Sequence, residues 1–256
     1  MVNFRKAALA GALAAILAPA VAFAADPPPP PTPYIPPPVE YGSKWYVRID
    51  GGLKWYRDPV ITFNEPTLGY DVPGLGEMLN ESISRSWLIG AGIGFQMSNH
   101  FRTDLTIDYE WPGEIYGELE CPSCGPPQYS IETADLSVLT ILANFYFDLP
   151  MSHGFTPYVG VGLGVARLTT SNVAFVNPDL STGTWEGAST WNFAWALMAG
   201  VEKELDDNWS IDASYRYLHL GDAMAITTLG PTGDTPIVYS GIAAHEFRIG
   251  LRYSIW

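Results

Sequence analysis

Apolar and polar residues alternate with a period of two along much of the chain. In residues 101–111 the odd positions are mostly apolar and the even positions mostly charged, from Phe101 and Arg102 to Glu110 and Trp111. Successive side chains leave opposite faces of a pleated chain, so this alternation predicts β-strands. It leaves open which face meets water, because a soluble sheet would bury the apolar face and a membrane barrel would turn it towards lipid.

Eight strand-like runs of this kind begin at Lys44, and no convincing amphipathic helix interrupts them. The runs cover residues 44–56, 86–97, 101–111, 135–149, 155–168, 190–205, 209–219 and 244–256. Short segments follow the second, fourth and sixth runs, whereas long segments with Gly, Pro, Asn and Asp follow the first, third, fifth and seventh. This arrangement predicts an all-β fold, an eight-stranded antiparallel transmembrane β-barrel with an up-and-down meander, long extracellular loops and short periplasmic turns.

The sizes of the side chains indicate which face is inside. The less apolar face is crowded with glycine, as at Gly90, Gly92 and Gly94 in the second run. The interior of an eight-stranded barrel is just wide enough for side chains, so most of the large apolar residues of the strands would overpack it. We therefore expect the apolar face to meet lipid.

Aromatic residues fall into two groups near the two ends of the predicted strands. One group contains Trp45, Phe101, Phe147, Phe155, Trp209 and Tyr253, and the other contains Trp55, Trp87, Trp111, Trp191, Tyr217 and Phe247. Such groups are typical of the aromatic girdles at the two interfaces of a membrane. A secreted lipocalin-like barrel is the alternative, and it predicts neither the girdles nor a charged interior.

The predicted lumen face carries basic and acidic side chains in near balance. They are Arg48, Lys54, Arg102, Arg216, Arg248 and Arg252, with Asp50, Asp104, Asp108, Glu110, Glu202, Glu204, Asp212 and Glu246. Charges in so narrow an interior must pair, because an unpaired buried charge costs several kcal/mol. We expect a salt-bridged plug that fixes the barrel, and the alternative is a thin hydrated or gated path for small solutes.

The segment before the first strand has two parts. A secretory signal peptide is predicted at residues 1–24, because Arg5 and Lys6 are followed by an Ala- and Leu-rich run and the sequence AFA. A membrane anchor is the alternative. Residues 25–43 are rich in proline and predict an extended periplasmic linker, either a semi-rigid tether or a docking site. Residues 44–256 are then the barrel domain.

The charge of the chain limits its partners. There are 27 acidic and 13 basic residues, and removal of Arg5 and Lys6 with the signal peptide leaves 11 basic residues and a net charge of −16. A basic face is needed to bind phosphate backbones, so a nucleic acid is excluded as a partner. Most of the negative excess is expected in the loops.

The loop predicted at residues 112–134 shows this excess, with Glu114, Glu118, Glu120 and Glu132 and no basic residue. Such acidic loops are either simply solvated, or they bridge through divalent cations to lipopolysaccharide phosphates, or they bind a basic extracellular ligand.

Cys121 and Cys124 lie in the same predicted loop, in the sequence CPSC. A redox motif of the thioredoxin type would need a βαβ unit, and a zinc site would need two more ligands. A small disulfide formed in the oxidising periplasm is the interpretation we favour. We predict no metal site, no cofactor and no enzyme activity, because carboxylates such as Asp108 and Glu110 have no apparent substrate cleft.

Four segments together resemble a known family. The segments are TILANFYFDL, GFTPYVGVGLGVA, SYRYLHLG and the closing HEFRIGLRYSIW. As a set they are similar to the opacity-type outer-membrane surface antigens, porin-like eight-stranded barrels of alpha-proteobacteria. The resemblance spans residues 44–256 and implies a Gram-negative outer-membrane protein without a shared enzyme activity. Members usually end in an aromatic residue that the barrel-insertion machinery recognises, whereas here Trp256 follows the in-phase Ile255 one residue late.

These observations lead to two functional hypotheses. The first is a surface protein of the Gram-negative outer membrane that supports envelope integrity and interacts through its loops, with the linker and the carboxyl terminus in the periplasm. The second is a narrow porin-like channel for small solutes. The expected partners are outer-membrane lipids and lipopolysaccharide, the insertion machinery and an extracellular ligand of the acidic loops.

Overall fold

The structure, a computed structural model, describes most of the predicted barrel domain. The described residues are 44–65, 70–71, 78–120, 126–150, 153–230 and 233–255. The predicted signal peptide and linker, Cys121, Cys124 and Trp256 lie outside them. Within these ranges, no helix is long and apolar enough to cross a membrane.

The described residues form thirteen strands. They are β1 Lys44–Tyr56, β2 Val60–Glu65, β3 Tyr70–Asp71, β4 Met78–Ile83, β5 Ser86–Gln96, β6 Phe101–Glu120, β7 Tyr129–Asp148, β8 Phe155–Thr170, β9 Val173–Val176, β10 Thr182–Gly187, β11 Ser189–Glu204, β12 Trp209–Gly230 and β13 Gly233–Ser254. Eight of these strands pair as antiparallel neighbours, in the order β1, β5, β6, β7, β8, β11, β12 and β13. Strand β13 pairs back to β1 and closes a ring. The ring confirms the predicted eight-stranded antiparallel barrel.

The end of the barrel with the long connections consists largely of strands, where loops were predicted. Strands β6 and β7 continue their pairing to Glu120 and Tyr129, and β12 and β13 continue to Gly230 and Gly233. The short strands β2, β4, β9 and β10 pair against these extensions. Gly, Pro and charged residues in these segments predicted loops, but strands outside a membrane tolerate them on their solvent faces. We call this the extended end and the opposite end the turn end.

Both predicted aromatic groups project outward from the barrel. All twelve side chains are exposed except those of Trp55 and Tyr217, which are half-buried. Large aliphatic side chains such as Ile89, Leu105 and Ile249 are also exposed between the two groups. A band of apolar residues with aromatic borders therefore surrounds the barrel.

β-bulges at the border of this band reverse which residues face inward. In β6 the register with β7 shifts between Glu110 and Gly113. Before the shift the charged even positions point inward, whereas after it Ile115 and Leu119 are buried and Glu114 is exposed. An extra residue in one strand changes the face on which all following side chains lie.

Strands β12 and β13 contain a similar irregularity at the same border. Their register shifts between His219 and Ala223, and Gly221 and Gly241 have φ angles of 78° and 69°. Side chains with a Cβ rarely adopt this left-handed conformation, so glycine permits the bulge at both positions.

Candidate functional site

The lumen at the turn end and middle of the barrel is filled by charged side chains, which we call the ionic region. Its members are Arg48, Asp50, Lys54, Arg102, Asp104, Asp108, Glu110, Asp148, Glu202, Asp212, Arg216, Glu246, Arg248 and Arg252. All of them are buried except Arg252, which is half-buried. They point inward because they occupy alternate positions of strands whose other face is apolar.

Arg102 is the centre of the layer nearest the turn end. Its guanidinium lies 3.1 Å from Asp148 and 2.7 Å from Glu202. The rings of Tyr146 and Tyr158 lie 4.6 and 4.4 Å from the guanidinium carbon. Two carboxylates and two aromatic rings thus compensate the desolvation of one buried cation.

Arg252 completes this layer from β13. It forms an ion pair with Glu202, and its guanidinium carbon lies 4.9 Å from the centre of the Tyr46 ring. The Tyr46 ring in turn covers Gly94, where any Cβ would collide with it. A glycine on β5 therefore gives a tyrosine on β1 the room to lie across the lumen.

Arg48 organises the middle layer. Its guanidinium lies 2.5 Å from Asp50, 3.2 Å from Asp104 and 3.6 Å from Asp212. The side-chain amide of Asn144 donates a hydrogen bond to Asp104 at 2.7 Å. These contacts connect four of the eight barrel strands, β1, β6, β7 and β12, through one arginine and its partners.

The third layer links two arginines to two carboxylates. Asp108 accepts hydrogen bonds from Arg216 at 2.9 Å and from Arg248 at 2.6 Å. Glu246 accepts a hydrogen bond from Arg216 at 2.6 Å and another from Arg248 at 3.3 Å. Lys54 lies 3.3 Å from Glu246 on the same side of the lumen.

Lys54 also forms an ion pair with Glu110, and the hydroxyl of Tyr56 donates a hydrogen bond to Glu110 at 2.7 Å. The side chains of Lys54 and Glu110 are both fully buried. This group is the last set of charges before the extended end.

The interior of the extended end is filled by apolar side chains, which we call the apolar region. Its fully buried members include Leu136, Leu168, Leu218, Leu220, Ile237 and Ile242. Burial of each such side chain contributes about 1.5–3 kcal/mol. The apolar region was not predicted, because Leu220, Ile237 and Ile242 were assigned to a loop and the leucines within the predicted strands were not assigned to the interior.

The lumen contains little free space at its centre. A cavity among Arg48, Asn144 and Arg216 in the ionic region has a volume of about 10 Å³. A water molecule needs at least about 10–15 Å³ by the same measure. The lumen is therefore closed within the part of the barrel that the structure describes.

The predicted lumen charges and the observed ones differ at two positions. Glu204 was placed in the lumen, but it is exposed at the rim of the turn end, because β11 ends at this residue. Asp148 was missed, although it follows Asn144 and Tyr146 on the inward face of β7. The alternation alone could have identified Asp148, whereas the tyrosines were overlooked because aromatic residues were assigned to the lipid face.

The predicted acidic loop also needs a correction at Glu132. This residue lies in β7 with its side chain in the apolar region, whereas Glu114 is exposed and Glu118 and Glu120 are half-buried. Its nearest polar partner is Ser130, whose hydroxyl donates a hydrogen bond at 3.3 Å. Burial raises the pKa of the Glu132 carboxyl to about 8.

The chemistry available in the lumen is mainly ion pairing. Asp108 and Glu110, the carboxylates considered for acid–base chemistry, are fully buried and in contact with arginine or lysine side chains. Among the residues with assigned positions, no group of three His, Cys, Asp or Glu side chains could hold a metal ion. The geometry therefore describes a set of fixed ion pairs that ties the barrel wall together across its interior.

A family model described as an outer membrane protein beta-barrel domain matches residues 10–254. The chain belongs to this outer-membrane β-barrel family. It is a protein of the Gram-negative outer membrane, so the apolar band meets lipid and the extended end is extracellular.

Two relatives and one solved structure illustrate the similarity. An uncharacterized protein of Brucella melitensis is 31% identical over 246 residues, which cover 82% of this chain and 84% of the relative. A protein of Rickettsia felis named "Putative adhesin" is 21% identical over 231 residues, 85% of this chain and 90% of the relative. The outer membrane protein OprG of Pseudomonas aeruginosa shares the fold, with a TM-score of 0.50, 14% identity and coverage of 83% and 96%.

Proposed function

We propose that this protein is a surface-interaction protein whose closed barrel anchors a rigid extracellular platform in the outer membrane and supports the envelope. In this proposal residues 1–24 direct export and residues 25–43 tether the barrel on the periplasmic side. The functional surface is the outside of the extended end, and the lumen has a structural role.

The filled lumen is the observation that carries this proposal. A solute would have to pass both the ionic region and the apolar region. Passage through the first requires the breaking of several buried ion pairs, and passage through the second requires the transfer of polar groups into an apolar interior. Both barriers argue against a constitutive channel.

The outer surface of the extended end supports an interaction role. Its acidic side chains are exposed or half-buried: Glu114, Glu118, Glu120, Asp135, Asp179 and Glu186. All of them except Asp179, which lies in the turn between β9 and β10, project from paired strands. Their spacing is therefore fixed before any partner binds, which lowers the entropic cost of binding. The surface fits a basic partner, and the name of the Rickettsia felis relative is consistent with such a role.

Single-channel recording of the refolded protein in a planar bilayer tests the closed lumen. We expect no discrete openings from a preparation whose electrophoretic mobility shifts on boiling, which shows that the barrel is folded. The positive control is a porin that gives discrete openings in the same bilayer. Reproducible openings of the unmodified protein would replace this proposal by the channel hypothesis.

An adhesion assay tests the acidic surface. It measures how well a Gram-negative host strain that expresses the chain adheres to cultured animal cells. The variant Glu114→Gln, Glu118→Gln, Asp135→Asn is expected to lose adhesion. The matched control Glu204→Gln, Asp206→Asn, Asp207→Asn removes three charges from the turn end and is expected to retain it. Equal adhesion of both variants and of a strain without the protein would contradict the role of the surface.

A further inference from the structure

The lipid-facing wall of the barrel has a wide depression across β1, β5, β12 and β13, which we call the lateral depression. It encloses about 1280 Å³, and its lining includes Gly51, Trp87, Ala213, Tyr215 and Phe247. Typical ligand sites enclose about 300–1,000 Å³, so this depression is large enough for more than one extended hydrocarbon chain. It reaches from the outer aromatic girdle into the apolar band.

Gly51 forms the floor of the lateral depression. It projects outward between its ladder partners Ile89 and Ile249, which are 53% and 65% exposed. A Cβ at this position would meet only the carbonyl oxygen of Leu88, at 3.9 Å. The packing of the barrel therefore does not require glycine here, and the low floor between two tall side chains is a feature of the lipid-facing surface alone.

Two arginines stand at the extracellular end of the lateral depression, next to the ends of β1 and β5. Arg85 immediately precedes β5, two residues before Trp87, and Arg57 immediately follows β1, two residues after Trp55. The pairing of Lys54 with Ser86 places both arginines on the extracellular side of the aromatic girdle. Both are exposed, and no salt bridge within the described ranges includes either of them.

The exposed carboxylates Asp58 and Glu114 lie at the same level as the arginines. Asp58 follows Arg57, and the Glu114 carbonyl accepts a hydrogen bond from the backbone N–H of Ser84 at 2.8 Å, next to Arg85. Arginine binds phosphate, and carboxylates bind hard divalent cations. The mixture of both fits a head group that carries phosphates and their associated divalent cations.

We propose that the lateral depression binds acyl chains of lipopolysaccharide, with the phosphates of its lipid A part at Arg57 and Arg85. The depression extends from the outer girdle across most of the apolar band, as far as Ile211 and Leu251, so its occupant must be apolar. The arginines at its extracellular end favour an anionic head group. Lipopolysaccharide has this combination in the extracellular leaflet. The proposal rests on the membrane location of the family and not on the proposed adhesive function.

Binding of lipid A to the refolded full chain in detergent micelles with Mg²⁺ tests the proposal. Native mass spectrometry counts the bound lipids, and tryptophan fluorescence, sensitive to Trp87 and Trp111, measures the affinity. The variant Gly51→Leu is expected to abolish high-affinity binding of lipid A, because the leucine side chain fills the depression. Arg57→Gln and Arg85→Gln are each expected to weaken binding about tenfold. The unmodified protein is expected to bind dephosphorylated lipid A as weakly as the variant that carries both arginine substitutions binds lipid A.

Two matched controls keep the test specific. Ala199→Leu adds bulk to an exposed position of β11 outside the depression, and Arg167→Gln removes an exposed arginine from the outer part of β8. Both are expected to bind lipid A like the unmodified protein, and the boiling shift verifies folding of every variant. Equal affinity of all variants would overturn the proposal. The proposal would also be overturned if the unmodified protein formed a dimer that Gly51→Leu lost while lipid binding stayed unchanged. The depression would then bind a second copy of the chain.

Discussion

The ionic region and the apolar region close the same barrel by opposite means. In the ionic region the lumen is charged and the outside is apolar, because the outside meets lipid. In the apolar region the interior holds leucine and isoleucine while Glu114 and Asp135 face outward, because the outside meets water. The comparison shows that the solvent around a strand decides which of its faces is buried, although the strand itself is continuous.

Removal of the β6 bulge should have the largest effect on this comparison. Deletion of Pro112 would turn Ile115 and Leu119 outward and Glu114 and Glu118 inward. We expect the extended end to lose its fold, with a cost above the roughly 2–5 kcal/mol of a single core truncation. Limited proteolysis of the refolded protein would then cleave β6 and β7 beyond the membrane.

Pro112→Ala is the matched control, because it keeps the number of residues and therefore the bulge. We expect its proteolytic pattern to equal that of the unmodified protein. A deletion variant that resisted proteolysis would show that the bulge does not determine the inversion.

Loss of one charge from the ionic region should have the next largest effect. Asp108→Ala leaves Arg216 and Arg248 with Glu246 as a shared partner, and breaking a buried pair in this way costs about 3–5 kcal/mol. Urea unfolding followed by the boiling shift measures the loss for the whole barrel. Asp135→Ala, at an exposed position of β7, should change stability by no more than about 0.5 kcal/mol. Equal midpoints for both variants would contradict the role of the ion pairs.

A truncation in the apolar region should act more locally. Leu136 is fully buried, so Leu136→Ala should cost about 2–5 kcal/mol through lost burial and a cavity. We expect faster hydrogen exchange in β6 and β7 beyond the bulge and little change in the membrane-embedded segments. Ile131→Ala, at a position 38% exposed in the same strand, is the control with a smaller effect. A uniform increase along the whole barrel would mean that the two regions are one cooperative unit.

The most gradual effect concerns the one acid found in the apolar region of the described chain. Because the pKa of Glu132 is raised to about 8, the folded form keeps a proton that the unfolded form loses above about pH 4.5. The stability of the extended end should therefore fall as the pH rises from about 4.5 to about 8, by at most about 1.4 kcal/mol per pH unit.

Hydrogen exchange of β7 measures how the stability of the extended end depends on pH. The rates are compared at pH values across this window after correction for the intrinsic exchange rate. Glu132→Gln should remove it, whereas Glu118→Gln, at a half-buried acid that accepts a hydrogen bond from Asn80, should retain it. The same pH dependence in Glu132→Gln would assign the effect to another group.

The lumen shows how far sequence reasoning reaches and where it stops. Alternation within single strands was sufficient to place Arg48, Asp108 and Arg248 on one inward face. It could not assign partners, because Arg48 and Asp104 are 56 positions apart and meet only when the barrel closes. Glu204 was placed wrongly because the end of a strand, unlike its phase, depends on where the pairing with its neighbours stops.

The sequence by itself determined the number of barrel strands, the face that meets lipid and the aromatic borders of the membrane, because each follows from the period of two and from side-chain size. Only the tertiary structure decided that the apolar odd positions of β6 face lipid before Pro112 and the interior after it. A bulge exists in the pairing between two strands, and no property of one strand alone reveals it. For the same reason, the change from an ionic to an apolar interior became visible only in the closed barrel.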